Sequence, residues 1–277
     1  MRIRIDHLTQ YGYSLPVRSV IQILRLTPRS TAHQSVIDWR IEVDCDARLR
    51  PFTDAHGNLC HMMTVDHPVE SLTIETIGQV DTTPGSGVVE GVSEPLPPAV
   101  YLRPTPLATA DGAIADFARQ AMGDATRDPL ERLHTLLGAV HTGLRFDTGT
   151  TSILTDAASA FAARSGVCQD LAHVFIAAAR SQGLPARYIS GHLLRQDGAE
   201  LQEAAHAWAE AHVPGLGWVA FDPANGICAD EHYVRVAAGL DYRDAAPVAG
   251  ARYGGGLETM SVGLHVRPGQ AQSQSQS

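Results

Sequence analysis

The hydrophobic period of this chain changes part-way along it, and the change limits what the chain can become. Over roughly the first 80 residues the period is 2. Ile37, Trp39, Ile41 and Val43 alternate with polar residues, as do Leu72 and Ile74, which is the pattern of half-buried strands. Residues 20–26 and 59–65 are further strand candidates. Leu15-Pro16, Thr27-Pro28, Asp54 to Asn58 and Asp66-His67-Pro68 supply turn chemistry between them. Short strands at this spacing predict an all-β sandwich or small barrel. Beyond residue 110 the period becomes 3.6. Ile114, Phe117, Ala118 and Ala121 mark one helix; Leu130, Leu133, Leu136, Leu137, Val140 and Leu144 mark a second, opened by Pro129. The chain therefore reads as α+β, with helices packed on an antiparallel sheet in its second half.

Between the two regimes, residues 81–111 carry six of the sixteen prolines (84, 95, 97, 98, 104 and 106) together with Gly85, Gly87 and Gly91. This composition predicts a partly extended surface connector. The expected organisation is a β-rich domain over 1–105, a core over 106–268 and a disordered Gln/Ser tail over 269–277.

Composition excludes several roles. Net charge is −9 with no basic run, so neither a nucleic acid nor an anionic membrane is an expected partner. No window approaches about 18 consecutive apolar residues, the length a membrane span needs. The N-terminus alternates like a strand and has no secretory apolar region, so a cytoplasmic protein is expected. The four cysteines (45, 60, 168 and 228) form no Cys-x-x-Cys pair and are expected as free thiols. His56, His61 and His67 lack helical spacing and a cysteine pair, so no metal site is expected there. No nucleotide-binding glycine loop, His-Glu-x-x-His helix or Gly-x-Ser-x-Gly elbow occurs, and no cofactor is expected.

The stretch from Ser165 to Arg180 concentrates the chemistry. Leu171, Val174, Phe175, Ala178 and Ala179 define an apolar helical face, Ser165 is a plausible N-cap, and Gly183 with Pro185 ends the helix. Cys168 falls in the first turn, where unpaired N–H groups and the macrodipole favour a thiolate. Beside an imidazolium such a position lowers a cysteine pKa from about 8.5 to roughly 3.5–7.5. Asp170 opposes this by its charge. Downstream, 206–222 reads as a hairpin around Pro214-Gly215-Leu216-Gly217. With a five-residue loop, His212 lies opposite Trp218 and Trp208 opposite Asp222, making His206 and Asp222 same-face diagonal neighbours about 7–8 Å apart. A four-residue loop would put them on opposite faces. An imidazole oriented by a carboxylate is the base a cysteine nucleophile needs. Taken singly, Cys168 is read as a small buried hydrophobe, His206 as a surface strand residue and Asp222 as a turn former before Pro223.

Four motifs together change that reading: Ser-Gly-Val-Cys-Gln-Asp-Leu-Ala-His (165–173), Leu-Pro-Ala-Arg-Tyr-Ile-Ser-Gly (184–191), Ala-His-Ala-Trp-Ala-Glu (205–210) and Gly-Trp-Val-Ala-Phe-Asp-Pro-Ala-Asn-Gly (217–226). They resemble the transglutaminase-like superfamily. The sequences at 7–17, 24–28, 54–58 and 230–244 are similar to bacterial members with a β-rich N-terminal region. The resemblance implies a papain-like core and a Cys-His-Asp triad at Cys168, His206 and Asp222, with the Cys168 N–H as an oxyanion donor. It implies a peptide or protein substrate and a cysteine protease or amidase, with transamidation or a non-catalytic binding module as alternatives. Glu231, His232, Tyr242 and Asp244 are candidate cleft or structural residues.

Overall fold

The computed structural model describes residues 1–92, 95–148, 152–202 and 204–269. Its longest element is β1, Arg2–Thr27, a single strand that runs straight through the expected turn at Leu15-Pro16. Four more strands follow: β2 (Gln34–Val43), β3 (Arg48–Thr53), β4 (Leu59–Val65) and β5 (Val69–Thr82). The first half of β1 pairs with β5, Arg2 opposite Asp81 through Gly12 opposite Ser71, and the second half pairs with β4, Val20 opposite Val65. Register shifts between Gly12 and Val17, around Pro16, which has no N–H to give a ladder. Proline here marks a change of partner and not a chain reversal.

The connector makes a two-residue strand, β6 (Val88–Val89), and a 3₁₀ turn at Pro98–Leu102. It is anchored more firmly than its composition suggests. Tyr101 is fully buried, and β6 lengthens the smaller sheet. Helices α1 (Gly112–Met122), α2 (Pro129–Gly143), α3 (Ala157–Ala163) and α4 (Cys168–Ser181) follow, with a parallel pair formed by β7 (Arg145–Phe146) and β8 (Ser165–Gly166). Asp111, Asp128 and Asp156 cap α1, α2 and α3 by accepting backbone N–H bonds.

The smaller sheet comprises β9 (Ala186–Leu193), β11 (His206–Val213), β12 (Gly217–Asp222), β13 (Ile227–Cys228) and β14 (Tyr233–Gly239), in the order β13-β12-β11-β9-β14, with β6 beside β12; β10 (Leu201–Gln202) pairs elsewhere. One face of β11, built from Ala207, Ala209, Ala211 and Val213, packs with α4 in the main core. A short helix, α5 (Tyr242–Ala245), leads to β15 (Val248–Gly254) and β16 (Glu258–Pro268). These last two strands pair with β1, β15 along its second half and β16 along its first. The C-terminal strand, expected within the core, therefore completes the larger sheet, and residues at both ends of the chain build that layer. Apart from Gly269, the Gln/Ser tail lies outside the described residues.

Strand β14 is the edge of the smaller sheet, and side-chain amides of the larger sheet cover it. Asn58 donates to Ala238 O at 2.7 Å and accepts from Ala238 N at 2.8 Å. Gln34 does the same for Arg235, at 2.9 and 2.8 Å. Each amide imitates a neighbouring strand residue, which satisfies an edge that would otherwise expose unpaired groups. Nearby, His7 of β1 and His192 of β9 meet edge to face with centroids 5.8 Å apart. Burial pushes His7 down to about 4 and His192 to about 3; His173 in α4 is likewise held at about 3 by burial and by Arg180. All three therefore stay neutral in the fold, while the unfolded chain takes up protons below about pH 6.5. Stability is full above that pH and falls as pH drops toward 4. Thermal denaturation at pH 7.5 and 5 is expected to show a loss of about 1–2 kcal/mol per buried histidine. His192→Gln should flatten the dependence, and an unchanged slope in that variant would count against the assignment.

Candidate active site

Helix α4 is buried along its whole length from Gln169 to Arg180, more completely than a one-faced apolar stripe requires. Its far end is clamped by Arg180, which donates to the carbonyls of Tyr101, Ala186 and Leu240 at 2.9, 2.8 and 2.6 Å. At the near end the cap residue is Val167, not Ser165. Valine has no acceptor, so the carboxylate of Asp170 folds back and accepts from Val167 N–H at 2.8 Å. That half of a capping box requires Gly166, since a Cβ there would stand 2.6 Å from Asp170 Cβ. Asp170 thus closes the turn that presents Cys168. Cys168 is the first helical residue and is partly exposed.

Strands β11 and β12 pair with His212 opposite Trp218 and Ala209 opposite Phe221. This is the register that puts His206 and Asp222 on one face. His206 Nε2 lies 2.6 Å from Asp222 Oδ2, and Cys168 is close enough to the imidazole to favour its protonated form. With Nε2 on the carboxylate, Nδ1 is the nitrogen left for sulfur. Asp222 is fully buried, whereas the His206 side chain keeps 12% exposure. Burial alone would lower the His206 pKa; Cys168 and Asp222 outweigh it and raise it to about 10. Burial would likewise raise Asp222, but hydrogen bonds from His206, Tyr233 and Asn225 hold it below the usual carboxylate range.

The structure adds two residues to this group that sequence reasoning missed. Tyr233 O–H donates to Asp222 Oδ2 at 2.7 Å and Asn225 Nδ2 donates to the same oxygen at 2.7 Å. Asp222 Oδ1 accepts from the backbone N–H groups of Ala224 and Asn225, at 2.9 and 3.3 Å. The Asp-Pro-Ala-Asn-Gly turn was a signal for Asn225, because an Asx turn folds the next residues onto the carboxylate. No local signal points to Tyr233, which arrives from β14.

Other candidates fall into structural places. Trp208 and Trp218 are 1% and 4% exposed and pack within the sheet. Glu210 is fully buried between Arg187 Nε at 2.6 Å and Arg235 Nε at 2.7 Å. Tyr242 N–H donates to His173 Nε2, and Asp244 accepts from Leu240 N–H and lies 3.4 Å from His56 Nε2, so both hold the C-terminal segment. Among the described residues, Asp230, Glu231 and His232 bring three potential metal donors within 4.8 Å, although His232 Nδ1 already engages Asp230 at 3.0 Å. All four cysteines are free. No helix among the described residues is long and apolar enough to cross a membrane.

Comparison with known proteins fits this geometry. Residues 3–81 match the bacterial transglutaminase-like N-terminal region, and residues 115–223 match the core of the transglutaminase-like superfamily. An uncharacterized protein of Mycobacterium tuberculosis is 32% identical over 275 residues, covering 91% of this chain and 88% of that one. The chain belongs to the transglutaminase-like superfamily. A protein-glutamine gamma-glutamyltransferase of Pseudomonas aeruginosa is 31% identical over 113 residues, 34% of this chain and 16% of that protein. In architecture the chain is similar to a proposed cysteine protease from Cytophaga hutchinsonii, with a TM-score of 0.77 at 20% identity, covering 98% of this chain and 92% of that one. The transglutaminase-like core matched in the family spans α1 to the end of β12, so Cys168, His206 and Asp222 all fall inside it.

The electrostatics of the transglutaminase-like site give a direct spectroscopic expectation. One imidazole should remain protonated above pH 8, since His206 is raised to about 10. In a histidine-labelled NMR titration that signal should move to lower pH in Asp222→Asn and vanish in His206→Ala. Finding every imidazole neutral by pH 7.5 would refute the arrangement.

Proposed function

We propose that this protein is a thiol enzyme that acts on amide bonds of peptides or proteins through Cys168, His206 and Asp222. One observation carries the reading: a single imidazole is hydrogen-bonded to a buried carboxylate through Nε2 and interacts electrostatically with a cysteine at a helix start. Cys168 Sγ attacks the amide carbonyl. His206, protonated in the resting pair, delivers its proton to the departing amine as the thioester forms. Asp222 stays ionised, orients the ring and stabilises the imidazolium, without taking the proton itself. The N–H of Cys168, in the first turn of α4, is an oxyanion donor for the tetrahedral intermediate. Water then attacks the thioester with His206 as base, making the enzyme a protease or amidase.

Transamidation uses the same first half-reaction, and the similarity to a protein-glutamine gamma-glutamyltransferase keeps it as the rival outcome. A peptide library incubated with and without a primary amine and read by mass spectrometry separates the two. Cleavage or deamidation supports hydrolysis; a mass gain equal to the amine minus ammonia identifies transfer. Asp222→Asn is expected to lower either rate by about 10³-fold or more, and Cys168→Ala to abolish both.

Thiol reactivity tests the enzyme reading independently of substrate. Burial raises the other three thiols, Cys60 to about 12, with Cys45 and Cys228 also raised. Iodoacetamide near pH 6 should therefore label Cys168 first, and His206→Ala should remove that preference. Equal, slow labelling of all four cysteines would leave a binding module as the better account.

A further inference from the structure

The described triad leaves open what holds the carboxylate at its correct rotation. An aspartate's last torsion joins a tetrahedral to a planar carbon and is soft, so the orientation of the carboxylate is set by the hydrogen bonds made at both of its oxygens. The backbone N–H groups of Ala224 and Asn225 engage Oδ1. Oδ2, the oxygen facing His206, is engaged by side chains. Two of its donors, Tyr233 and Asn225, come from outside the triad.

We propose that Tyr233 is a positioning residue of this site, a fixed phenol donor that holds the Oδ2 side of Asp222 and backs the ring of His206. The inference rests on the triad reading given above. Three features make the phenol suited to the task. First, its proton has one direction to point. Asn225 Nδ2 approaches the phenol oxygen at 3.3 Å as a donor, so the O–H turns to Asp222 at 2.7 Å. Second, the phenol does not ionise across the working range: burial and the Asp222 carboxylate, with Asp230 nearby, push its pKa upward. The charged and polar groups around it are thus Asp222 from β12, Asn225 and Asp230 from the turns that follow, and His206 from β11. Third, the ring itself is a wall. Tyr233 meets Trp208 edge to face at 5.4 Å, Trp208 lies against His206 at 6.1 Å, and Tyr233 and His206 are 5.9 Å apart. The imidazole is held by two aromatic neighbours as well as by its hydrogen bonds.

Tyr233 also connects the site to the larger sheet. It lies two residues before Arg235, whose backbone is gripped by Gln34. The N-terminal region thereby fixes the strand that carries the donor to Asp222.

Tyr233→Phe keeps the ring and deletes the hydroxyl. Its effect is read by the rate at which iodoacetate alkylates Cys168, followed across the pH range alongside thermal melting. Iodoacetate is an anion, so the rate reports thiolate and imidazolium together as a bell-shaped profile. Without the phenol, Asp222 gives more of its charge to His206, and the imidazolium persists to higher pH. The alkaline limb should move up by about one unit, and the maximal rate should fall by on the order of 10-fold as the ring loosens. Replacing Tyr233 by 3-fluorotyrosine, which keeps the ring and makes the phenol a stronger donor, should move the same limb the other way. It carries the test if Tyr233→Phe does not fold. A profile superimposable on that of the parent chain overturns the proposal, as does a variant that melts earlier but keeps the parent profile. A parent chain whose Cys168 is no more reactive than Cys45 overturns the triad reading and this proposal together; a reactive parent with an indifferent Tyr233→Phe overturns only this one.

Discussion

The 2.6 Å contact between His206 and Asp222 depends on a register, and the register depends on a turn. Side chains on a strand alternate faces, so a slip of one residue in the β11–β12 pair would send Asp222 to the face that packs on α4. The turn closes with Leu216 N–H on Val213 O at 3.1 Å, and Gly215 and Gly217 take φ of +82° and +93°. Side chains other than glycine are strained there. On its other side β11 pairs with β9, His206 opposite Gly191 and Ala211 opposite Ala186. Gly191 has its own reason: a Cβ would meet Trp208 at 2.5 Å. The ring of Trp208, which supports His206, fits only because Gly191, the residue opposite His206, has no side chain.

That explains which parts of the site could be read from residues alone. The alternation of 206–213 and 217–222, with a Pro-Gly turn between them, specifies the hairpin and the shared face of His206 and Asp222, all within 17 consecutive positions. Cys168 at a helix start is equally local. Tyr233 is different, since it reaches Asp222 from β14, at the other end of the strand order. Its role depends on a long-range fold that periodicity does not encode. The larger sheet shows the same limit. Each strand of it has a legible period, but β16 pairing with the first half of β1 joins residues about 250 positions apart, and nothing in either segment names its partner. Pro16 misleads for a related reason: it marks a place where ladder bonds are missing, and both a turn and a change of strand partner satisfy that condition.

Among the described residues, Asp170, Glu210 and Asp222 are carboxylates that lie fully buried around this site, and the differences among them separate structure from chemistry. Burying an unpaired carboxylate costs several kcal/mol or more. Asp170 turns to the N–H of Val167 in its own helical turn, where the positive end of the dipole also favours it. Glu210 is held by two arginines, groups that do not exchange protons near neutral pH. Asp222 engages a group that can release its proton, His206, and takes neutral donors for its remaining hydrogen bonds.

A neutral shell is what the chemistry proposed for His206 requires. A second cation on Asp222 would satisfy the carboxylate as well as the imidazolium does, and would weaken its hold on the proton that, in the proposed mechanism, moves to the leaving amine. Tyr233 and Asn225 bind Asp222 without competing in charge, so in that mechanism the positive charge that balances it can appear on His206 and be lost from His206. Arginine serves Glu210 because that carboxylate has only to stay where it is. The same acid group, equally buried, becomes a strut in one case and an orienting partner in the other through the pKa of what it touches.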